Sequence, residues 1–453
     1  MADLLVHNAR LLVTVDGAGR ELAGGWVSIA NGLIHAVGSS TDPLPQADRV
    51  IDATDCLVMP GLVNTHHHIF QNLTRAYPPM TDKPLFGWLQ SLYPLWAAID
   101  EASVHASAFV GLAELALSGC TTSTDHLYVH PRGAGDLLSA EIAAATELGI
   151  RFHPTRGSMS LSEKDGGLPP DTVVQDDDQI LAQSEAAVAR HHDRSHGAMV
   201  RIALAPCSPF TVTERLMVES AQLAERLDVR LHTHFAENAE DDQFSLATFG
   251  CRPMEYLERT GWCTDRTWVA HCVMPDADEI VRLGTAHVGV AHCPSSNMIL
   301  ASGLAPIVAL RAAGVQVGLG VDGSSSADSA SMWLEARQAM LVAKLRDGAG
   351  AGTARMALHC ATAGGAGCLG RTGELGVLAP GAVGDLAVWR LDGPTFSGAV
   401  ADPVEAWLRC GPISAWYTVV HGRPIVEQGR IVHPMLDEML RQHAIHARRI
   451  QRL

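Results

Sequence analysis

Two kinds of hydrophobic pattern alternate along the chain, and the places where they change divide it. The first 55 residues carry short β-type runs. Leu4–Val15 is rich in β-formers, and Val27–Ala30 and Leu33–Val37 flank Asn31-Gly32, a dipeptide suited to a tight hairpin turn. From Cys56 onward, short apolar runs alternate with longer Ala- and Leu-rich stretches of helical period. The runs are Leu57–Val63, Cys120–Thr124, Ile150–His153, Val200–Ala205, Val229–His232, Thr267–Ala270, Val288–Ala291 and Val315–Val321. Eight strands separated by helices fit an α/β fold of the (β/α)8, or TIM, barrel type better than an open sheet. After about residue 372 short strands return, at Asp385–Trp389, Tyr417–Val420 and Pro424–Val426, with Gly and Pro between them. Both ends of the chain are thus β-rich and are expected to pair into one small β domain, residues 1–58 plus 373–433, beside a barrel at 59–372. Residues 434–453 read as a closing helix. The stretch Arg75–Trp96 carries Tyr77, Phe86, Trp88, Tyr93 and Trp96. It reads as a loop that either lids a flat ligand or packs on the barrel.

Composition narrows the function. The 453 residues are 47% apolar, enough for a large core. The net charge is -16 without any basic block, which argues against a nucleic-acid partner, since phosphate contacts need clustered Lys and Arg. A small-molecule substrate stays open. Ten Cys without a C-x-x-C pair suggest reduced thiols in a cytoplasmic protein rather than a thiolate metal site. No run approaches the roughly 20 apolar residues of a membrane helix, and the N-terminus lacks the pattern of a signal peptide. Such barrels often dimerise, so a homodimer is left open.

Polar residues gather at the ends of the expected barrel strands, the face on which barrel enzymes build their sites. Strand 1 runs into Asn64-Thr65-His66-His67-His68, strand 5 into His232-Thr233-His234-Phe235-Ala236-Glu237, strand 6 into Ala270-His271-Cys272, and strand 8 into Gly320-Val321-Asp322-Gly323. On an extended strand end, residues two apart point the same way. His66 and His68 can therefore grip one ion while His67 faces elsewhere. His234 and Asp322 would add a nitrogen and a carboxylate oxygen. Such a donor set suits one Zn2+, with Fe2+ or Mn2+ as alternatives. An ion so held would make bound water a nucleophile near neutral pH. Asp322 could orient that water, and Glu237, three residues after a ligand, could carry protons.

The combination of H-x-H after strand 1, H-x-x-E after strand 5, His271 and Asp322 resembles the amidohydrolase superfamily, in its cytosine deaminase, guanine deaminase and chlorohydrolase-like branch. Pro60-Gly61-Leu62-Val63-Asn64, His292-Cys293-Pro294-Ser295-Ser296-Asn297 and the Gly376–Trp389 segment extend the likeness over nearly the whole chain. The resemblance implies a barrel plus a β-sandwich built from both termini. It also implies metal ligands His66, His68, His234 and Asp322, a proton shuttle at Glu237, and a His271 that hydrogen-bonds the attacking oxygen. Strand 4, Arg201–Pro209, has no Lys to bridge two metals, which favours a single ion.

The substrate is less legible. Gln71, in H-x-H-x-x-Q, resembles a Gln with which guanine deaminases read a purine amide edge; otherwise it caps a loop. Cys207-Ser208 stand where guanine deaminases usually place an Arg. Arg156 at the end of strand 3 supplies a cation from another side, or is structural. Trp96 is a candidate stacking residue. The text Asn64–Arg75 and Thr121–His126 is similar to bacterial 8-oxoguanine deaminases, and triazine aminohydrolases share much of it. The resulting expectation is hydrolytic deamination of a 2-amino-oxo heterocycle, 8-oxoguanine first. Alternatives are a triazine-type amino- or chlorohydrolase, or a guanine or isocytosine deaminase.

Overall fold

The apolar run beginning at Cys56 is shared between two sheets in the computed structural model, which describes residues 2–452. Cys56–Pro60 pairs antiparallel with Leu386–Arg390, Val58 opposite Val388, and belongs to the terminal β domain. Leu62–Asn64 is barrel strand 1. The chain crosses between them at Gly61, where a Cβ would lie 2.1 Å from Thr121 Oγ1, so no side chain fits. The expected single strand Leu57–Val63, and a domain boundary at residue 58, are corrected accordingly. Uniform apolarity hid the break because both pieces are buried on both faces. Leu57 and Met59 face the barrel core, while Cys56 and Val58 face the core of the β domain.

The other barrel strands follow in chain order: Cys120–Leu127, Arg151–Ser158, Ala203–Pro206, Arg230–Phe235, Thr267–His271, Gly289–His292 and Val317–Leu319. All pair in parallel and close as strand 8 meets strand 1 at Leu319 and Asn64. The β domain stacks a four-stranded sheet, Leu33–Gly38, Gly25–Ala30, Ala2–Ala9 and Ala47–Asp52, on a seven-stranded one that joins both chain ends. Leu4, Val27, Ile29, Val58, Leu386 and Val388 fill the space between. Asn31 and Gly32 take positive φ, 52° and 75°, as a two-residue hairpin turn of this kind requires.

The stretch Arg75–Trp96 is corrected from a loop to a segment ending in a helix, Leu85–Trp96. Leu85, Trp88, Leu89, Leu92, Tyr93 and Trp96 recur at helical spacing and are all buried. Pro94 in the last turn masked the pattern. The closing helix, Leu436–Gln451, lies on helix Glu101–Leu117 and the turn Ile69–Thr74. His443 Nε2 meets Asn72 Oδ1 at 2.8 Å, and Gln451 donates to the Leu73 carbonyl at 2.7 Å, so the C-terminus braces the segment that follows His68. Among the described residues no helix is long and apolar enough to cross a membrane.

Candidate active site

Short extensions of the barrel strands set the rim. His67–His68 pairs in parallel with Asp322–Gly323, and the Asp322 N–H donates to the His66 carbonyl at 3.1 Å, which brings strand ends 1 and 8 side by side. Asn64 ties three strands together: it accepts from the Val321 N–H at 3.0 Å and donates to Ser123 Oγ at 3.0 Å. His271 and Asp322 sit at positive φ, 71° and 58°, an uncommon state for residues with side chains and one that clusters at functional sites.

Hydrogen bonds behind the imidazoles decide which nitrogens face inward. His68 Nδ1 lies 2.8 Å from the His126 carbonyl and His234 Nδ1 lies 2.6 Å from the Cys207 carbonyl. A carbonyl only accepts, so each Nδ1 carries the hydrogen and each Nε2 keeps a lone pair. His232 Nδ1 likewise donates to the Trp268 carbonyl at 2.8 Å, leaving its Nε2 to accept from His66 Nδ1 at 2.7 Å. His66 Nε2 is then bare as well, and it has no hydrogen-bond partner. Burial holds all these imidazoles below their usual titration range, His68 near 3, which keeps them neutral.

The result is a cluster of acceptors facing one another, with the Gly323 N–H donating to Asp322 Oδ1 at 2.8 Å from the backbone. His68 Nε2 and His234 Nε2 are 3.1 Å apart, and Asp322 Oδ1 lies 3.2 Å from His66 Nε2 and 3.4 Å from His68 Nε2. Lone pairs this close repel unless a cation stands among them. The spacings match the roughly 3.3–3.4 Å edges of a tetrahedral site with metal–ligand bonds of about 2.0–2.1 Å. The residues therefore fit one divalent ion, and the backbone carbonyls fix the imidazoles as outer partners of metal ligands usually do. His126 also approaches His66, His68 and His234. Its Nε2 donates to the Ala205 carbonyl at 3.0 Å, its Nδ1 is buried without a hydrogen-bond partner, and its ring stacks on His234 at 5.1 Å.

Glu237 and His271 stand beside this cluster. His271 Nε2 is 3.5 Å from Glu237 Oε2 and 3.9 Å from Asp322 Oδ2. Asn297 Oδ1 holds His271 Nδ1 at 2.9 Å, and Ser302 Oγ donates to Glu237 Oε1 at 3.2 Å. Burial, reinforced by the Asp322 charge, pushes the Glu237 carboxyl up to about 7, where it can give and take protons near neutrality.

The cavity over these groups is lined by Gln71, Trp88, Tyr128, Cys207, Ser208 and Phe210, with Leu85, Leu89 and Leu300. Gln71 and Cys207, expected to contact substrate, both line this cavity. Gln71 donates to the Tyr128 hydroxyl at 3.2 Å, while its Oε1 is buried without a partner. Gly323 makes room for it, since a Cβ there would overlap Oε1.

Two expected contacts are corrected. Arg156 points out of the barrel. Its guanidinium is bonded to Gln175 Oε1 and Gln183 Oε1, both at 2.6 Å, in a separate cleft beside His130 and Asp136. It shares strand parity with Phe152, which packs outward against the helices. Trp96 is fully buried behind the cavity and donates to Thr74 Oγ1 at 3.0 Å; Trp88, two turns earlier on the same helix, reaches the cavity instead. Sequence reasoning passed over Tyr128, Phe210, Asn297 and His232. His232 had a signal, since it stands two residues before His234 and so faces the same way.

A closed parallel barrel whose rim gathers neutral imidazoles and an aspartate around one cation position defines a class of metal-dependent hydrolases. A model of the amidohydrolase family matches residues 57–424, and the chain belongs to that family and is a hydrolase acting on C–N bonds. Over 443 residues, 98% of each chain, it is 46% identical to an 8-oxoguanine deaminase of Pseudomonas aeruginosa. It is 36% identical to a hydroxydechloroatrazine ethylaminohydrolase of Pseudomonas sp. strain ADP, over 97% of this chain and 93% of that one. The crystal structure of an atrazine chlorohydrolase from Arthrobacter aurescens TC1, complexed with zinc, superposes with a TM-score of 0.93 at 34% identity, covering 98% of this chain and 100% of that one.

Proposed function

We propose that this enzyme removes the exocyclic amine from C2 of a 2-amino-oxo heterocycle, converting 8-oxoguanine to a urate-type product and ammonia. His66, His68, His234 and Asp322 would hold one zinc ion. When bound, the ion supplies a Lewis acid that makes water nucleophilic at neutral pH. Asp322 accepts a proton from the attacking water, assisted by the Ser326 hydroxyl 3.4 Å from its Oδ2. Glu237 protonates a ring nitrogen next to C2, which makes that carbon electrophilic. Glu237 takes up the proton of the added hydroxyl as the C2 carbonyl forms and passes it to the departing amine; the C–N bond breaks, ammonia leaves, and the proton held by Asp322 returns Glu237 to its acid form. His271, oriented by Asn297, hydrogen-bonds the oxygen that is added.

The observation that carries the substrate reading is the buried, unpartnered Oε1 of Gln71 in the same cavity as Glu237. Its amide nitrogen has a second hydrogen beyond the one given to Tyr128. Gln71 can thus accept from a ring N–H and donate to the adjacent carbonyl, the two ends of a purine N1–O6 edge. Cys207 and Ser208 keep the opposite ring of the substrate uncrowded. The 8-oxoguanine deaminase relative supports this choice, and the two triazine enzymes support the competing one.

Ammonia release from 8-oxoguanine, guanine, isocytosine and an aminotriazine tests the reading. 8-Oxoguanine should have the highest kcat/KM. Gln71→Ala should lower it by roughly 10- to 100-fold with the metal retained, the cost of leaving a buried polar edge unpaired. Guanine turned over as well or better would overturn the reading of Cys207-Ser208. Turnover of the aminotriazine alone would install the triazine hydrolase instead.

A further inference from the structure

The end of the barrel opposite the catalytic rim has a cavity of about 220 Å³ lined by His153, His192, Arg194, Arg201, Arg230 and Arg266. Strands 3 to 6 begin here, so their first residues are thrown together just as their last residues meet at the rim. Against four arginines and two histidines stands one lining acid, Asp228, and it is taken by Arg266 at 2.8 Å. Arg201 reaches Glu374 at 3.3 Å. Arg194 and Arg230 have no carboxylate within ion-pair distance among the described residues. Arg194 donates to the Leu227 carbonyl, and Arg230 donates to the Asp265 carbonyl at 2.8 Å.

Several nitrogens in this cluster are buried without any acceptor: Nε of Arg201, Nε of Arg230 and Nδ1 of His153, whose residue is only 2% exposed. Arg371, next to the lining Gly370, leaves its own Nε and Nη1 unpartnered. Space has been kept for this arrangement. Gly370 takes a φ of +65°, and a Cβ there would lie 2.6 Å from Arg230 Nη1. Guanidinium groups keep their charge when buried and carry donors in a planar fork. Unmet N–H groups in such surroundings are costly, and an anion relieves both the charge and the missing acceptors.

We infer that the barrel floor binds a tetrahedral oxyanion of the phosphate class between Arg194, Arg201, Arg230 and His153. Donors from four separate side chains around one cavity suit the four oxygens of a tetrahedral anion better than the two coplanar oxygens of a carboxylate. The anion is either free orthophosphate or the phosphoryl end of a nucleotide whose remainder extends past the exposed Arg194 at the mouth. The site is separate from the catalytic rim and does not depend on how the substrate there is read.

The test is calorimetric titration of inorganic phosphate, and separately of a nucleoside 5′-monophosphate, into the metal-loaded enzyme at constant ionic strength in chloride. One phosphate should bind per chain. Arg230→Gln and Arg194→Gln should each weaken it by at least roughly tenfold. Glu237→Gln, at the other end of the barrel, should leave it unchanged, which separates the floor from any anion held at the rim. Absence of binding, or binding that survives both arginine substitutions, overturns the inference. Should Arg230→Gln fail to fold, Arg194→Gln, on the exposed mouth, carries the test alone. Tighter binding of the nucleotide than of orthophosphate assigns the phosphoryl source; equal or weaker binding assigns free phosphate.

Discussion

At the rim of the barrel His66, His68, His234 and Asp322 turn lone pairs toward one another, whereas at the floor Arg151, Arg201, Arg230 and Arg371 bring N–H groups together. Both are clusters of like groups, and each needs something of opposite character among them. At the floor the chain supplies part of it. Asp385 accepts from Arg151 at 3.0 and 3.1 Å, and Glu374 accepts from Arg371 at 2.5 Å and faces Arg201. These pairs also join the barrel to the β domain. At the rim, among the described residues, no cationic side chain enters the cluster, and the Ser326 hydroxyl reaches only the outer Asp322 Oδ2, so the partner must come from solution. Where the chain provides the counter-group the cluster is structural; where it withholds one, the cluster is a binding site.

The largest effects should come from breaking the rim. Asp322→Ala removes the one charged acceptor. Metal analysis should show the content falling well below about one ion per chain, and ammonia release should fall below detection. A variant that kept its full ion would show that His126, not Asp322, completes the donor set. Glu237→Gln leaves every acceptor in place, so it should keep the ion while turnover drops by at least about 10²-fold. Near-normal turnover there would remove Glu237 from the chemistry.

Breaking the floor should cost stability rather than chemistry. Asp385→Asn leaves Arg151, which is fully buried, without its carboxylate. Denaturant unfolding should show a loss of about 3–5 kcal/mol, with kcat little changed under native conditions. A large drop in kcat at undiminished stability would contradict the division between the two ends.

The smallest effect concerns a carboxyl behind the rim. Glu335 is fully buried, accepts from the Ser295 N–H at 3.1 Å, and is pushed by burial up to about 8. Its proton is held more tightly in the folded chain than in the unfolded one. Stability should therefore fall as pH rises from about 4.5 to about 8, and this group's contribution should level off above that. Glu335→Gln removes that slope. Between pH 5 and pH 8 the Tm difference should move in favour of the variant by roughly 1–3 °C; parallel Tm curves would show that Glu335 does not titrate as described.

Much of this was legible along the chain because strands have a period of two. His66 and His68 had to share a face, and the rim had to collect strand ends. The same rule, applied more strictly, would have excluded Arg156: Phe152 marks the outward parity of strand 3, and Arg156 falls on it. The helix Leu85–Trp96 was written in its apolar spacing, and Pro94 obscured it.

The sequence by itself determined the alternation of strands and helices, and which imidazole and carboxylate side chains stand at the strand ends that form the rim. Each of these depends on local period or on the chemistry of a side chain. Only the tertiary structure decided where the run from Cys56 divides between two sheets, since two fully buried strands look alike when read in a line. It alone showed that Trp88 rather than Trp96 reaches the cavity, that backbone carbonyls from other strands set which imidazole nitrogens are bare, and that the starts of four strands gather arginines, including Arg230, which has no carboxylate partner among the described residues. Those outcomes rest on contacts between residues far apart in the chain, which no local pattern records.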